Sequence, residues 1–236
     1  AAALGVGAEL GDLVISLGTS GTAFAVSSTP THDPSGEVAG FADATGNYLP
    51  LVCTLNAAKV FATVSKALNL SFEEFSSLAL RAKPGCDGLR LLPHFDGERT
   101  PNRPNVKGQF ISLTHSNFTP ENIARSAIEG VIAGLVYAWQ ALSKLGVNRK
   151  RVLLIGGAAK NSAVQQIAAS MFGTEIFLPE PGEYVANGAA KQAAWAIGGS
   201  KSAPDWQIGE IRTISPQSAT EPDEVVASYL ELISKI

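Results

Sequence analysis

The chain has 236 residues, 45% of them hydrophobic and 17% charged, and a formal net charge of −3. That length and apolar content can bury a core without disulfide or metal staples, and they exclude a disordered chain. The slight acidity excludes a general nucleic-acid partner, which needs clustered cations to displace counterions, but leaves small anions open, since one turn of backbone N–H groups can hold them.

Near the N-terminus, Ala1-Ala2-Ala3-Leu4-Gly5 carries neither the basic region of a signal peptide nor an initiator Met, so the sequence reads as a piece of a longer protein. Gly11-Asp12 is a turn signal, and Leu13–Leu17 reads as a buried strand. Gly18-Thr19-Ser20-Gly21 interrupts it, Thr22–Ser27 resumes it, and the two runs make a hairpin. After a Ser-, Thr-, Pro- and Asp-rich loop over Ser28–Gly36, a third strand is expected over Tyr48–Cys53. Leu55–Leu68 has a helical apolar face, and Ser71-x-x-Glu74 is a capping box that opens a second helix. Pro84-Gly85 stops that helix, and Leu89–Leu92 is a short strand. Pro93–Gly108 is a polar loop, too long for a simple turn and therefore a functional candidate. Gln109–Leu113 is a further short strand.

Thr119 caps the longest helix, Pro120 opens it and Gly146 ends it. Gly130 and Gly134, one turn apart, would let another element approach closely. A β-turn-α unit follows: strand Val152–Ile155, turn Gly156-Gly157, cap Asn161, and a helix with Val164, Ile167, Ala168 and Met171 on one face. Glu175–Leu178 is a strand and Ala186–Ile197 a helix, 200–220 is weakly patterned, and Pro222–Ile236 is a terminal helix. Hairpins followed by βα units give an α/β class with a mixed sheet and helices packed on it. The apolar terminal helix can cover its own domain or a partner such as a second copy, which leaves a homodimer open. The longest uncharged helical stretch, Gly130–Ser143, is shorter than the roughly 17 residues a bilayer needs, so no membrane partner is expected.

The standard chemical motifs are missing. There is no GxxxxGK[ST], no third glycine after Gly5-Val6-Gly7, no HExxH and no GxSxG. His32, His94 and His115 lie in separate loops and read as solvated or hydrogen-bonded side chains. Cys53 and Cys86, without a CxxC, read as reduced thiols of a cytoplasmic protein, and no metal-ligating set is present. Two turns carry the chemistry. Gly18, Thr19, Ser20 and Gly21 offer hydroxyls and N–H groups at a strand end, either as a plain hairpin turn or as a phosphate cradle. Gly156, Gly157, Ala158 and Asn161 lie between a strand and a helix N-terminus, as a capped βα turn or as an anion site with room for a nucleotide. Together they could flank one nucleotide. Gly97-Glu98-Arg99-Thr100-Pro101 reads as a solvated charged loop, or as one whose charges pair with each other or with a second domain.

Ser16-Leu17-Gly18-Thr19-Ser20-Gly21 resembles the phosphate motif in the second domain of the FGGY carbohydrate kinases. Gly97-Glu98-Arg99-Thr100-Pro101 resembles a hallmark of the xylulokinase branch of that family, Gly156-Gly157-Ala158-x-x-Asn161 is similar to its adenosine motif, and Tyr184–Trp195 to its terminal βα segment. The resemblance implies an actin-like, ribonuclease-H-like ATPase domain spanning residues 1–236, with 200–236 as a C-terminal extension ending in a helix. It implies ATP and Mg²⁺ as cofactors, D-xylulose as the ketose substrate and an N-terminal kinase domain as the missing partner. Carried over by position, Gly18, Thr19, Ser20 and Gly21 would contact the terminal phosphates, and Gly156, Gly157, Ala158 and Asn161 the adenosine side. Phe72 would take the place of an aromatic near adenine. The family's catalytic aspartate sits in a Gly-x-Gly-Asp motif just before an Ala-Ala run. This sequence opens at Ala1-Ala2-Ala3, so that aspartate is expected just upstream of residue 1; no catalytic residue is assigned here, no magnesium ligand either, and the chain alone is expected to be inactive. Another ketose, a polyol or a sugar acid stays open as substrate, as does a non-catalytic actin-like module. Asp12, Asp43 and Asp96 are the substitutes to consider for the base, with Asp12 better read as a turn residue.

Overall fold

The computed structural model describes residues 1–206, 209–217 and 221–235. A short helix α1 (Ala2–Gly5) precedes β1 (Asp12–Leu17), β2 (Gly21–Ala25) and β3 (Leu51–Thr54). Helices α2 (Ala58–Ala67) and α3 (Phe72–Arg81) lead to the small ribbon β4 (Arg90–Leu92) and β5 (Gln109–Ile111), and then to α4 (Pro120–Lys144). The chain closes with β6 (Arg151–Ile155), α5 (Ser162–Phe172), β7 (Ile176–Pro179), α6 (Tyr184–Gly198), β8 (Ile211–Ile214) and α7 (Glu221–Lys235). Six strands form one mixed sheet in the order β3-β2-β1-β6-β7-β8, with β1–β6 and β6–β7 parallel and the other pairs antiparallel.

Strand alternation sorts the core into two faces. Leu13, Ile15, Leu17, Val152 and Leu154 point to one side, where α2, α4 and α5 cover them with Phe61, Ile128, Leu135 and Val164. Val14, Phe24, Leu153 and Ile155 point to the other, against Ala3, Val6 and Tyr184 of α1, its following turn and α6. Covering on both sides is why Leu13–Ile15 is a continuous apolar run.

The helix signals act as the sequence implies. Thr119 Oγ1 accepts the Asn122 N–H at 3.3 Å, and the Ser71–Glu74 capping box closes in both directions. The paired glycines of α4 divide in role. A Cβ on Gly130 would overlap the Leu91 carbonyl oxygen, whereas one on Gly134 would meet nothing within 4 Å. Only Gly130 is there for a close approach. The terminal helix covers its own domain: Tyr229 is fully buried and its hydroxyl donates to the Ser126 carbonyl at 3.2 Å. Inside the interface of α3 and α4, Arg125 and Glu129 form a buried pair at 2.7 Å.

Among the described residues, and beside two short 3₁₀ turns at Cys86–Gly88 and Gly157–Lys160, a helix and a strand are additional to those expected. One is α1, whose Gly5 crosses Gly188 of α6 so tightly that a Cβ on either would overlap the other helix's backbone. The other is β8, inside the weakly patterned 200–220 segment. Residues 207–208 and 218–220 of that segment, and residue 236 of the expected terminal helix, lie outside the described residues. No helix among the described residues is long and apolar enough to cross a membrane, and both cysteines are free.

Candidate functional site

The two glycine turns meet because β1 and β6 are parallel neighbours and end side by side. Between β1 and β2, the Gly18 N–H donates to the Ser20 carbonyl at 3.1 Å and the Gly18 carbonyl accepts the Ala58 N–H at 3.0 Å, leaving Thr19 and Ser20 exposed. After β6, Gly156 has φ +98°, and a Cβ there would sit 2.5 Å from the Leu17 carbonyl oxygen. Only glycine lets this second turn press against the first. Gly157 next to it faces open space. A single 3₁₀ turn, Gly157–Lys160, then delivers Asn161 to the start of α5. Asn161 Oδ1 accepts the N–H groups of Ala163 at 2.9 Å and Val164 at 3.1 Å, which is the expected cap.

Helix α3 forms the opposite wall. Phe72, 60% exposed, stands at its first position, with Glu73, Ser76 and Ser77 alongside. Leu17, Ala58 and Phe61 make an apolar floor. The cleft so enclosed has a volume of about 830 Å³, within the range of small-ligand sites. It unites Gly18, Thr19, Phe72, Gly157, Ala158 and Asn161. Ser20, Gly21 and Gly156 lie in the same turns but do not line it. An N-terminal helix end and Lys160 favour negative charge there, and the exposed ring of Phe72 offers a flat apolar surface. Ser76, Ser77, Lys160 and Ser162 also line the cleft and were not singled out from sequence. Lys160 had a signal, being the one cation inside the glycine turn, and Ser76 had a weaker one, lying one helical turn beyond Phe72.

The Gly97–Pro101 segment is not a solvated loop. Glu98 is buried and accepts the Leu55 N–H at 2.5 Å, Asn56 Nδ2 at 2.9 Å and the Arg99 N–H at 2.8 Å. It clamps the long loop to the end of β3, at the same end of the sheet as the Gly18 turn, since Thr54 of β3 pairs with Gly21 of β2. Glu98 and Arg99 are thus linked through a backbone N–H, while the Arg99 side chain is exposed. The candidate substitute bases are engaged elsewhere. Asp12 is buried, holds the Glu9 N–H of its turn and chelates Arg151 at 2.7 and 2.8 Å. Asp43 folds its own turn through Thr45 and Asn47, and Asp96 pairs with Lys59 at 3.0 Å.

His94 also departs from its reading as a solvated or hydrogen-bonded side chain. It is buried, and its Nδ1 has no partner. Burial holds its pKa below the usual histidine value, with Glu98 opposing and Arg103 adding to the effect. A lowered folded pKa means that the neutral ring's contribution is complete above about pH 6.5 and is lost as pH falls through the folded value. The thermal midpoint of the wild type is expected to fall more steeply between pH 7 and 5 than that of His94→Gln; parallel slopes would refute this.

The family model described as the FGGY family of carbohydrate kinases, C-terminal domain, matches residues 13–197. A xylulose kinase of Streptomyces coelicolor is 42% identical over 204 residues, which is 86% of this chain and 40% of that protein. A xylulose kinase of Streptomyces rubiginosus is 40% identical over 225 residues, 95% of this chain and 45% of that protein. The crystal structure of xylulose kinase from Bifidobacterium adolescentis superimposes with a TM-score of 0.86 at 44% identity, over 98% of this chain and 45% of that one. The chain therefore spans less than half the length of the relatives it matches.

Proposed function

The chain belongs to the FGGY family of carbohydrate kinases, and from that premise we propose that it is the ATP-binding half of an enzyme that phosphorylates D-xylulose to D-xylulose 5-phosphate. The fold is the actin-like ATPase fold, and the chain is xylulose-kinase-like. One observation carries the proposal: two glycine turns far apart in sequence and the exposed ring of Phe72 converge on one nucleotide-sized cleft. In this reading Phe72 and the open face at Gly157 take the adenosine, and the Thr19 turn takes the terminal phosphates. Ser20, Gly21 and Gly156 shape those turns rather than touch the ligand. Lys160 and the α5 N-terminus offset phosphate charge.

Transfer forms a bond from the sugar oxygen to the γ-phosphorus, breaks the bond to ADP and releases the hydroxyl proton to a base. Asp12, Asp43 and Asp96 are all engaged outside the cleft; in this reading, as the family resemblance implies, the base is an aspartate just upstream of residue 1, and most of the sugar contacts belong to the N-terminal domain. Magnesium is expected with ATP in this family, held largely by the phosphates and water, and no protein ligand is assigned to it. The carboxylate in the cleft is Glu73, and no group of three His, Cys, Asp or Glu is placed to hold a metal among the described residues.

MgADP titrated into the protein by calorimetry is expected to bind at one site. The full-length gene product is expected to release ADP from MgATP with D-xylulose, and not with L-ribulose, glycerol or gluconate. The 236-residue chain alone is expected to release none. Turnover by the chain alone would put a base inside it, and turnover with another acceptor would reassign the substrate. Absence of ADP binding would end the nucleotide reading.

A further inference from the structure

Ser76 sits in the interior of α3, buried at 7% exposure in the cleft wall. A helical serine can satisfy its hydroxyl on a carbonyl of its own preceding turn. Ser65, Ser126, Ser228 and Ser234 all do so here. Ser76 does not. Its hydroxyl donates across the cleft wall to Asn161 Oδ1 at 2.9 Å, lies 3.2 Å from Ser162 Oγ, and accepts a share of the Ala163 N–H at 3.2 Å.

That bond has a consequence for Asn161. Its Oδ1 now receives three donors: Ser76 Oγ and the N–H groups of Ala163 and Val164. Backbone N–H groups need an acceptor, so they settle which end of the carboxamide is oxygen. The Nδ2 end has no protein partner among the described residues, and Asn161 lines the cleft. We propose that Ser76 is a positioning residue that locks the Asn161 carboxamide so that it presents a donor, Nδ2, to an acceptor atom of the bound nucleoside, and ties the Phe72 wall to the N-terminus of α5. The inference rests on the nucleotide reading of the cleft. It fixes the polarity of the contact: the ligand atom facing Asn161 is a hydroxyl, ring-nitrogen or phosphate oxygen acceptor and not an exocyclic amine.

The test is a double-mutant cycle read by calorimetry with adenosine, which carries no charge, and with ADP, alongside thermal unfolding. Asn161→Asp keeps every cap acceptor and removes the donor. Ser76→Ala keeps the helix and removes the lock. Ser76→Ala is expected to weaken adenosine binding about three- to tenfold, as for one hydrogen bond made less often, and Asn161→Asp to weaken it at least as much. Asn161→Asp should leave the thermal midpoint unchanged or raised, because aspartate caps as well as asparagine. Adding Ser76→Ala to Asn161→Asp should change affinity by less than about twofold, since the donor being positioned is already gone. Ser76→Thr, which retains the hydroxyl, should bind within about twofold of wild type. Losses that multiply in the double variant, or a Ser76→Ala protein that binds like wild type, would overturn the inference and leave the nucleotide reading standing. A wild-type protein that binds neither adenosine nor ADP would remove both.

Discussion

Glu129→Ala is expected to cost about 3–5 kcal/mol of folding free energy, because it leaves the guanidinium of Arg125 buried without its partner. Glu129 is 1% exposed and receives Arg125 Nε at 2.7 Å, the Gly85 N–H at 3.0 Å and the Cys86 thiol at 3.6 Å. Arg125 in turn donates to the Ala82 carbonyl at 3.2 Å. One carboxylate therefore ties the middle of α4 to the turn that ends α3. The surroundings of Cys86 agree, since burial pushes its thiol pKa far up and keeps it a neutral hydrogen-bond donor. Urea unfolding at neutral pH measures the effect. Glu129→Gln should lose less than the alanine variant, because it keeps an acceptor for the Gly85 N–H and the thiol. A loss under about 1 kcal/mol for Glu129→Ala would mean that Arg125 swings out to water, as exposed pairs allow.

Gly156→Ala is expected to cost about 3 kcal/mol or more and to abolish nucleotide binding as well. Two penalties add. The φ of +98° is strained for any residue with a Cβ, which costs of order 1–3 kcal/mol. The new methyl also meets only backbone: the Leu17 carbonyl oxygen at 2.5 Å, its carbon at 2.7 Å and the Leu17 nitrogen at 2.9 Å. No rotamer relieves such a clash, so the two turns must part and the cleft opens at its floor. Gly157→Ala is the control. Nothing lies within 4 Å of a Cβ there, so its thermal midpoint should stay near wild type while MgADP affinity falls. Equal midpoints for Gly156→Ala and wild type would show that the turns are not in contact.

What could be read from the sequence was what local pattern encodes. Leu13–Leu17 and Val152–Ile155 announce strands, the Ser71–Glu74 and Thr119–Pro120 signals announce helix starts, and the glycines at 18–21 and 156–157 mark turns. Placing Thr19, Phe72 and Asn161 around one space needed the order of the family motifs, since no short-range rule joins them. The rest depended on long-range partners. Glu98 looks solvent-facing until the backbone of Leu55 reaches it. His94 looks ordinary until the loop closes over it. Ser76 is one more small polar residue in a helix until Asn161 arrives from the far half of the chain. The strand β8 was invisible because as an edge strand of four mostly exposed residues it has no apolar alternation to show.

The crossing of α1 over α6 bears on how this protein acquires its shape. Gly5 and Gly188 touch backbone to backbone, and the second face of the sheet is finished only when Ala3 and Val6 meet Tyr184. About three-quarters of the chain lies between those partners, so their meeting must overcome the entropy of closing a very long loop. Hairpin β1–β2 and the α2–α3 pair involve short loops and can assemble early, whereas the α1–α6 seam is the slow, high-contact-order end of the route. Until it forms, Val14, Phe24 and Leu153 stand uncovered, and a nascent chain in that state exposes the apolar surface through which incompletely folded chains associate.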